Sequence, residues 1–334
     1  MAMSGDNPKV SVCLMTYNGA GTVERALTTL LAQTYRDYEL IISDDHSTDD
    51  TLAICKRVAA GHSQVRFIRP ERNLGSEPNM KFALSHARGR YFLWACQDDY
   101  WEADFLGRLV QALEQSPTAV CAQGGVRWFS ADGTRSRNLT LYGRDLPEQQ
   151  TRINLAVSLL TRLGREGQIK VKNSIFTHGL WNRNAFATAL AAHRKPFSNE
   201  RQILCQLALA GEFRYVNKIL YHKTFYDVEL DERYPATDAT VIAKQNSNRW
   251  SELLDTLTAI IRSPIVPANM KIRAVPVLFL IYCRHRMNLK KRLSRRLGIF
   301  WRVLSIFRVR RSRLANASTD IAKPNPSSRF RKKV

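Results

Sequence analysis

The sequence lacks the features of several protein classes. Residues 1–9 contain no apolar run, so no secretory signal is expected. The six cysteines include no Cys-x-x-Cys pair and several lie in apolar runs, which predicts reduced, buried thiols in a cytosolic protein. The apolar run at 275–282 is much shorter than the roughly 20 residues that a membrane-spanning helix needs. We find no internal repeat.

Acidic residues are almost missing from the C-terminal segment. Residues 271–334 contain 19 lysines and arginines but a single acid, Asp320, in a chain of formal net charge +22. Such asymmetry predicts an anionic partner, either a membrane surface or nucleic acid. The aromatic residues within 297–309 disfavour nucleic acid, because they resemble the inserting face of an interfacial helix on anionic lipid. A helical cover over the rest of the chain is the alternative.

Short apolar strands alternate with amphipathic helices. The pattern predicts strands at 10–16, 39–43, 64–69, 90–95, 118–130 and 213–221, and helices at 22–33, 50–60, 77–87, 102–115 and 200–210. This alternation predicts an α/β fold with a parallel-rich sheet and helices on both faces. No Gly-x-Gly-x-x-Gly follows the first strand, which argues against a dinucleotide-binding Rossmann site.

Two acidic pairs each close an apolar run. They are Asp44-Asp45 and Asp98-Asp99. Because ligands bind beyond the carboxyl ends of the strands in an open α/β sheet, both pairs are expected at one crevice. Adjacent carboxylates repel each other unless a cation or a donor-rich ligand offsets them, and a divalent metal shared with substrate phosphates is a common solution. Solvated turns are the alternative.

The residues around these pairs carry a family resemblance. The segments that carry it are 9–18, 30–35, 39–49, 73–75, 87–91 and 97–101. Together they resemble the inverting family 2 glycosyltransferases with the GT-A fold, over residues 8–230. At one position the sequence departs from the family, since Cys96 stands where relatives often have an aspartate two residues before the metal-site pair.

The resemblance implies a fold and, with the composition, a division of the chain. The expected fold is GT-A, a mixed and mostly parallel sheet flanked by helices, followed by a basic helical C-terminal tail. We expect a catalytic domain at 1–235, a helical basic membrane-associating region at 236–320 and a disordered basic tail at 321–334.

The resemblance also assigns residues to a donor site. Asp99 and Asp98 would hold Mg²⁺ or Mn²⁺, with Asp99 as the direct ligand, and the metal would act as a Lewis acid on the phosphate oxygens. The nucleotide would be contacted by Thr16, Tyr17, Asn18, Asp45 and Asp98. A packing role is the alternative for Tyr17.

Four further residues are candidates: Glu200 as the predicted catalytic residue, and His178, His222 and Lys223 as weaker ones. Glu200 matches the family's general base, where many relatives have aspartate, although an acid in the first turn of a helix also suits the helix dipole. His178 is expected near the acceptor, and His222 near the metal or phosphate, with structural roles as the alternative for both. Lys223 is either a phosphate contact or a solvated charge.

The resulting expectation is a metal-dependent transferase. It would move a sugar from a UDP- or dTDP-sugar to a hydroxyl of a saccharide or lipid-linked acceptor, with inversion, in surface polysaccharide assembly. The protein would lie on the cytoplasmic face of an anionic membrane. One alternative is a catalytically degenerate sugar-nucleotide-binding protein. The other is a nucleotidyltransferase, which would need a basic phosphate loop that residues 17–21 lack.

Overall fold

A computed structural model describes residues 7–139, 152–153, 155–156, 178–192, 201–226 and 249–286. The chain divides into two compact units, Met1–Tyr282 and Cys283–Val334. The first unit runs past residue 235, where the sequence predicts the end of the catalytic domain. The three-part division of the chain stays a prediction.

The first part of the chain forms a parallel half-sheet. Its elements are β1 (Val10–Thr16), α1 (Val23–Leu31), β2 (Tyr38–Asp44), α2 (Thr51–Val58), β3 (Val65–Ile68), α3 (Ser76–His86) and β4 (Tyr91–Cys96). Strand β1 lies between β2 and β4 and is parallel to both, and β3 pairs with the outer edge of β2. The chain runs outward from β1 through β2 to β3 and then crosses back to form β4 on the other side of β1, so the carboxyl ends of β1 and β4 border a crevice.

The second part adds antiparallel strands. Its elements are β5 (Tyr100–Trp101), α4 (Phe105–Glu114), β6 (Ala119–Ser130), β7 (Ser136–Leu139), β8 (Leu180–Asn182), α5 (Arg183–Ala191), α6 (Arg201–Ala210) and β9 (Glu212–Phe225). The described strands follow the order β3-β2-β1-β4-β8-β6-β9-β5, with β7 beside β6. Strand β8 is antiparallel to both β4 and β6, whereas β6 and β9 are parallel. The described sheet is therefore mixed.

Burial explains why these residues form these elements. Every residue of β2 is buried, and β1 and β4 are buried at all but one position each, as expected for central strands covered on both faces. Helix α1 turns one apolar stripe to the core through Val23, Ala26, Leu27, Leu30 and Leu31. Fully burying one such leucine contributes about 1.5–3 kcal/mol.

The predicted elements of the first 130 residues are present, with ends displaced by up to three residues. The short strands β5, β7 and β8 were not predicted, because a strand of two to four residues has too little periodicity and depends on its partner. Strand β9 continues to Phe225, past the predicted end at Tyr221. Its pairing with β6 supports this extension.

Two C-terminal helices complete the described structure. They are α7 (Arg249–Arg262) and α8 (Ala268–Arg286). Both contribute to the common core, through Leu253, Leu257, Ile260, Met270, Ala274 and Leu278. Gln206 Nε2 on α6 also donates to Ser263 Oγ at 2.8 Å, just after α7. Residues 253–278 therefore pack on the core, but only Ala274 and Leu278 of these core residues belong to the basic segment, for which membrane docking and a helical cover both stay predictions.

The most basic part of the tail lies outside the described residues, and so does the aromatic stretch 297–309. Within the described ranges, no helix combines the length and the apolar character that crossing a membrane requires. Four large apolar side chains of α7 and α8 are exposed, namely Leu254, Ile261, Ile272 and Phe279.

Candidate active site

The ends of β1 and β2 are joined through Asp44. Thr16 Oγ1 donates to Asp44 Oδ1 at 3.2 Å, and Ser47 Oγ donates to the same oxygen at 2.5 Å. Arg69 lies 3.4 Å from the other carboxylate oxygen. Asp44 is buried, and through these partners it connects the ends of β1 and β2.

The turn after β1 is tied to the turn after β2. Asn18 has a φ of 44°, a left-handed conformation that asparagine tolerates better than most residues. Its Oδ1 accepts a hydrogen bond from Thr48 N at 2.9 Å, and Gly19 N donates to Thr51 Oγ1 at 2.7 Å. The predicted nucleotide residues Thr16 and Asn18 thus lie at the crevice, and their side chains also have structural partners.

Asp45 anchors a third loop to the same place. Its carboxylate accepts hydrogen bonds from Leu74 N at 2.8 Å and Gly75 N at 2.9 Å. Asn73 Nδ2 donates to the Asp45 carbonyl at 3.1 Å, and Gly75 has a φ of 85° at the start of α3. The sequence did not reveal this anchoring role. The predicted contact of Asp45 with the nucleotide stays a prediction.

The second acidic pair places two neighbouring carboxylates in different environments. Asp99 is 1% exposed, whereas Asp98 is only half-buried. Asp99 accepts hydrogen bonds from the Tyr221 hydroxyl and, at 2.9 Å, from Thr224 N. Burial raises the pKa of Asp99 to about 6, although the charge of Lys223 opposes this shift. Asp99 therefore fastens β9 to the loop after β4.

Asp99 also belongs to a group of potential metal ligands. One ligand atom each from Cys96, Asp99 and His178 lies within 4.8 Å of the others, so this group could hold a divalent metal ion. A thiol and an imidazole are softer ligands than the oxygens that Mg²⁺ prefers. Asp98, the other predicted ligand, is not in this group, and its metal role stays a prediction.

A lysine ammonium shares the space of this group. Lys223 Nζ lies 2.9 Å from His178 Nε2 and 3.6 Å from Asp99 Oδ2. An ammonium has only donors, so His178 Nε2 must accept, and the imidazole is neutral. Burial and the charge of Lys223 lower the pKa of His178 well below its usual value, consistent with this state. The structure therefore brings His178 close to Asp99, a contact that the sequence did not predict, and the predicted place of His178 near the acceptor stays a prediction.

His222 lies elsewhere. Its Nε2 is 2.7 Å from Glu102 Oε1, and its ring stacks on Tyr100 with 4.3 Å between ring centroids. Successive side chains of a strand point to opposite faces, so His222 faces away from Tyr221 and Lys223. Burial lowers the pKa of His222. The structure does not bring His222 to the Asp99 group.

Glu200, the predicted general base, lies outside the described residues. Helix α6 begins immediately after it, at Arg201. Sequence reasoning missed two residues that organise the site, Gln97 and Tyr221. Gln97 links the loop after β4 to the turn after β1, and Tyr221 binds Asp99. Gln97 lies in the segment 97–101 that carries the family resemblance, but the roles of both residues come from contacts distant in sequence, which the local pattern does not show.

The sequence profile described as Glycosyl transferase family 2 matches residues 11–183. The chain belongs to this family. Among its relatives, EpsE of Bacillus subtilis is 33% identical over 133 residues, which cover 40% of this chain and 48% of EpsE. The chondroitin synthase of Escherichia coli is 28% identical over 66% of this chain and 29% of its own length. The chain thus spans half or less of these two relatives.

A third relative is matched over most of its length. TuaG of Bacillus subtilis, named as a teichuronic acid biosynthesis glycosyltransferase, is 28% identical over 64% of this chain and 82% of its own. Among solved structures, S. aureus TarS 1-349 in complex with UDP-GlcNAc has a TM-score of 0.55 at 15% identity, covering 84% of this chain and 74% of that one. The likeness confirms the predicted GT-A fold.

Proposed function

We propose that this protein transfers a sugar from a nucleotide-diphosphate donor, a UDP- or dTDP-sugar, to a hydroxyl of a saccharide or lipid-linked acceptor, with inversion. The observation that carries the proposal is the meeting of the loops after β1, β2 and β4 at one edge of the sheet. Asp45, Asp98 and Asp99 lie on these loops. The family membership and the UDP-GlcNAc complex of TarS support a nucleotide-sugar donor.

The nucleotide would lie along this edge. Thr16, Tyr17 and Asn18 would contact it from the turn after β1, and Asp45 and Asp98 from the next two loops. These loops are cross-linked by hydrogen bonds, including those of Asp45 to the backbone of Leu74 and Gly75. Because these loops are already ordered, they lose little conformational entropy when the donor binds, which favours tight donor binding.

A divalent metal, Mg²⁺ or Mn²⁺, would be held by Asp98 and Asp99. When bound, it would neutralise charge on the departing diphosphate. Asp98 is the more accessible carboxylate, and Asp99 is fixed by Tyr221 and Thr224. The two residues would therefore combine an adaptable ligand with a rigid one.

The acceptor hydroxyl must lose a proton as it attacks. Glu200 would take this proton, with His178 near the acceptor or phosphate and His222 as a more remote candidate. The names of the relatives, a chondroitin synthase and a teichuronic acid glycosyltransferase, support a role in surface polysaccharide assembly. The basic C-terminal segment would hold the enzyme on anionic lipid at the cytoplasmic face of the membrane.

Activity and binding must be tested separately. The purified full-length chain is incubated with a panel of UDP- and dTDP-sugars and Mg²⁺ or Mn²⁺, and nucleoside diphosphate release is measured with and without saccharide acceptors. Metal-dependent release that an acceptor stimulates is expected. Donor binding without release would favour the degenerate binding protein, which Cys96 at the usual aspartate position suggests. A chain that binds no nucleotide sugar would overturn both the transferase and the binding-protein hypotheses.

A further inference from the structure

Lys223 is positioned differently from an ordinary surface lysine. It lies on β9 two residues after Tyr221, so both side chains point to the same face of the strand. That face is the one that meets Asp99, because the Tyr221 hydroxyl donates to Asp99 Oδ2 and Lys223 Nζ lies 3.6 Å from the same oxygen. Lys223 therefore lies next to the loop after β4, which contains Asp99.

The environment of Lys223 holds the ammonium while leaving part of the side chain accessible. Its Nζ has a hydrogen bond to the neutral imidazole of His178 at 2.9 Å, and 28% of the side chain is exposed. Asp99 also accepts hydrogen bonds from Tyr221 and Thr224, and its 3.6 Å separation from Nζ exceeds a direct hydrogen bond. The ammonium thus lies beside both His178 and Asp99.

Lys218, on the same strand, shows the contrast. Its Nζ binds Asp104 at 2.6 Å, and 46% of its side chain is exposed. Asp104 also pairs with Arg108. Lys218 therefore belongs to a surface ion-pair network. Such exposed pairs contribute little to the free energy of unfolding. Lys223 instead shares its space with Cys96, Asp99 and His178.

We propose that Lys223 binds the diphosphate of the nucleotide donor and that Asp99 and His178 position its ammonium for this contact. The inference rests on the proposed function and names a further residue of the same site. Lysine is a compact point charge with three donors, which suits non-bridging phosphate oxygens. Asp99 and His178 are positioning residues in this arrangement.

The contact would become stronger during transfer. The acceptor oxygen bonds to the anomeric carbon as the bond from that carbon to the diphosphate oxygen breaks. The electron pair of the broken bond stays on the departing diphosphate, and the acceptor proton passes to the base. Negative charge therefore grows on the diphosphate, and an ammonium already in place stabilises it without a proton transfer.

Comparing UDP with uridine isolates the diphosphate contact. Calorimetry with the full-length chain and excess Mg²⁺ gives both affinities for the wild type, Lys223→Gln, Lys223→Arg and the matched control Lys218→Gln. Glutamine keeps an N–H donor for His178 and removes the charge. A hydrogen bond to a charged group corresponds to a change of about 10- to 100-fold, so Lys223→Gln should weaken UDP by that factor.

The pattern across ligands decides the outcome. Uridine affinity should stay within about twofold of wild type in every variant, since it has no phosphate, and Lys223→Arg should retain most of the UDP affinity. Unchanged UDP affinity in Lys223→Gln would overturn the inference and leave the proposed function standing. Parallel loss of UDP and uridine would assign Lys223 a structural role instead. A wild type that binds neither ligand would contradict the UDP-donor part of the proposed function itself.

Discussion

The side-chain amide of Gln97 forms two hydrogen bonds with the backbone of Tyr17. Tyr17 N donates to Gln97 Oε1, and Gln97 Nε2 donates to Tyr17 O, each at 2.9 Å. The pair fixes the turn after β1 against the loop after β4, where Asp98 and Asp99 follow. These two hydrogen bonds therefore hold Tyr17, the expected nucleotide contact, in a fixed position relative to Asp98, the expected metal ligand.

Gly19→Ala should disturb this link. A Cβ atom on Gly19 would lie 2.1 Å from Gln97 Oε1, so the amide would have to leave Tyr17. Loss of two hydrogen bonds corresponds to about 1–3 kcal/mol in the free energy of unfolding. The free energy of unfolding measured in urea and the affinity for UDP should therefore both fall. Gly21→Ala is the matched control, because nothing lies within 4 Å of its added Cβ. Equal behaviour of the two variants would contradict the role of the Gln97–Tyr17 pair.

Asp99→Asn should change the pH dependence of stability. Burial raises the pKa of Asp99 to about 6 in the folded chain, whereas an unfolded aspartate has a pKa of about 3.9. The folded state binds more protons between these values, so the stabilisation is complete below about pH 4 and is lost as the pH rises through 6.

Urea unfolding in EDTA from pH 4 to pH 7 measures this effect. The free energy of unfolding of wild type minus that of Asp99→Asn should fall by on the order of 2–3 kcal/mol over the range. A flat difference would show that Asp99 titrates normally. With metal present, the same variant should lose metal-dependent transfer. Full activity with an unchanged metal response would remove Asp99 from the metal site.

Asp45→Ala should weaken nucleotide binding more than it slows chemistry. A group that contacts the nucleotide acts on ground and transition states alike, so KM should rise more than kcat falls. Because the variant also frees the backbone N–H groups of Leu74 and Gly75, stability should fall by about 1–3 kcal/mol. Calorimetry with UDP and urea unfolding separate the effects, with the exposed Glu71→Ala as control. Unchanged UDP affinity would leave Asp45 only its structural role.

Glu200→Gln should give the opposite kinetic pattern. A general base contributes about 10²–10⁴-fold to the rate, so kcat should fall within that range while UDP affinity is unchanged. Single-turnover measurements establish that chemistry limits the rate. A loss smaller than about tenfold under that condition would exclude the base role.

Removing residues 287–334 should release the protein from anionic membranes. This segment contains 15 lysines and arginines and one acid. Vesicle binding by the full-length chain should weaken as salt rises, since charges are screened beyond about 8 Å at physiological ionic strength. The truncated chain should keep UDP binding. A full-length chain that sediments with neither anionic nor neutral vesicles would contradict the membrane role.

The position of the cut matters for this test. A cut at residue 271 would also remove Ala274 and Leu278, which belong to the core. That shorter chain should melt early or aggregate, and its behaviour would say nothing about lipid. Thermal melting of both truncations distinguishes the two causes, because only the cut at 287 leaves the described core complete.

The local sequence determined the fold class and the place of the candidate site. Runs such as 40–42 and 91–96 are apolar at successive positions, which suits central strands buried on both faces. Because the strands are parallel and each carries its acidic pair at its carboxyl end, the pairs had to meet at one edge. The segregation of basic charge in the tail is likewise visible in composition alone.

The tertiary structure decided what each residue does at that edge. Asp98 and Asp99 are identical neighbours in sequence, but only Asp99 is buried, because Tyr221 and Thr224 arrive from more than 120 residues away. The sequence offered His178 and His222 as similar weak candidates. Strand alternation turns His222 away, and His178 reaches Lys223 from the start of β8. Such differences arise from contacts distant in the chain, which local periodicity does not encode.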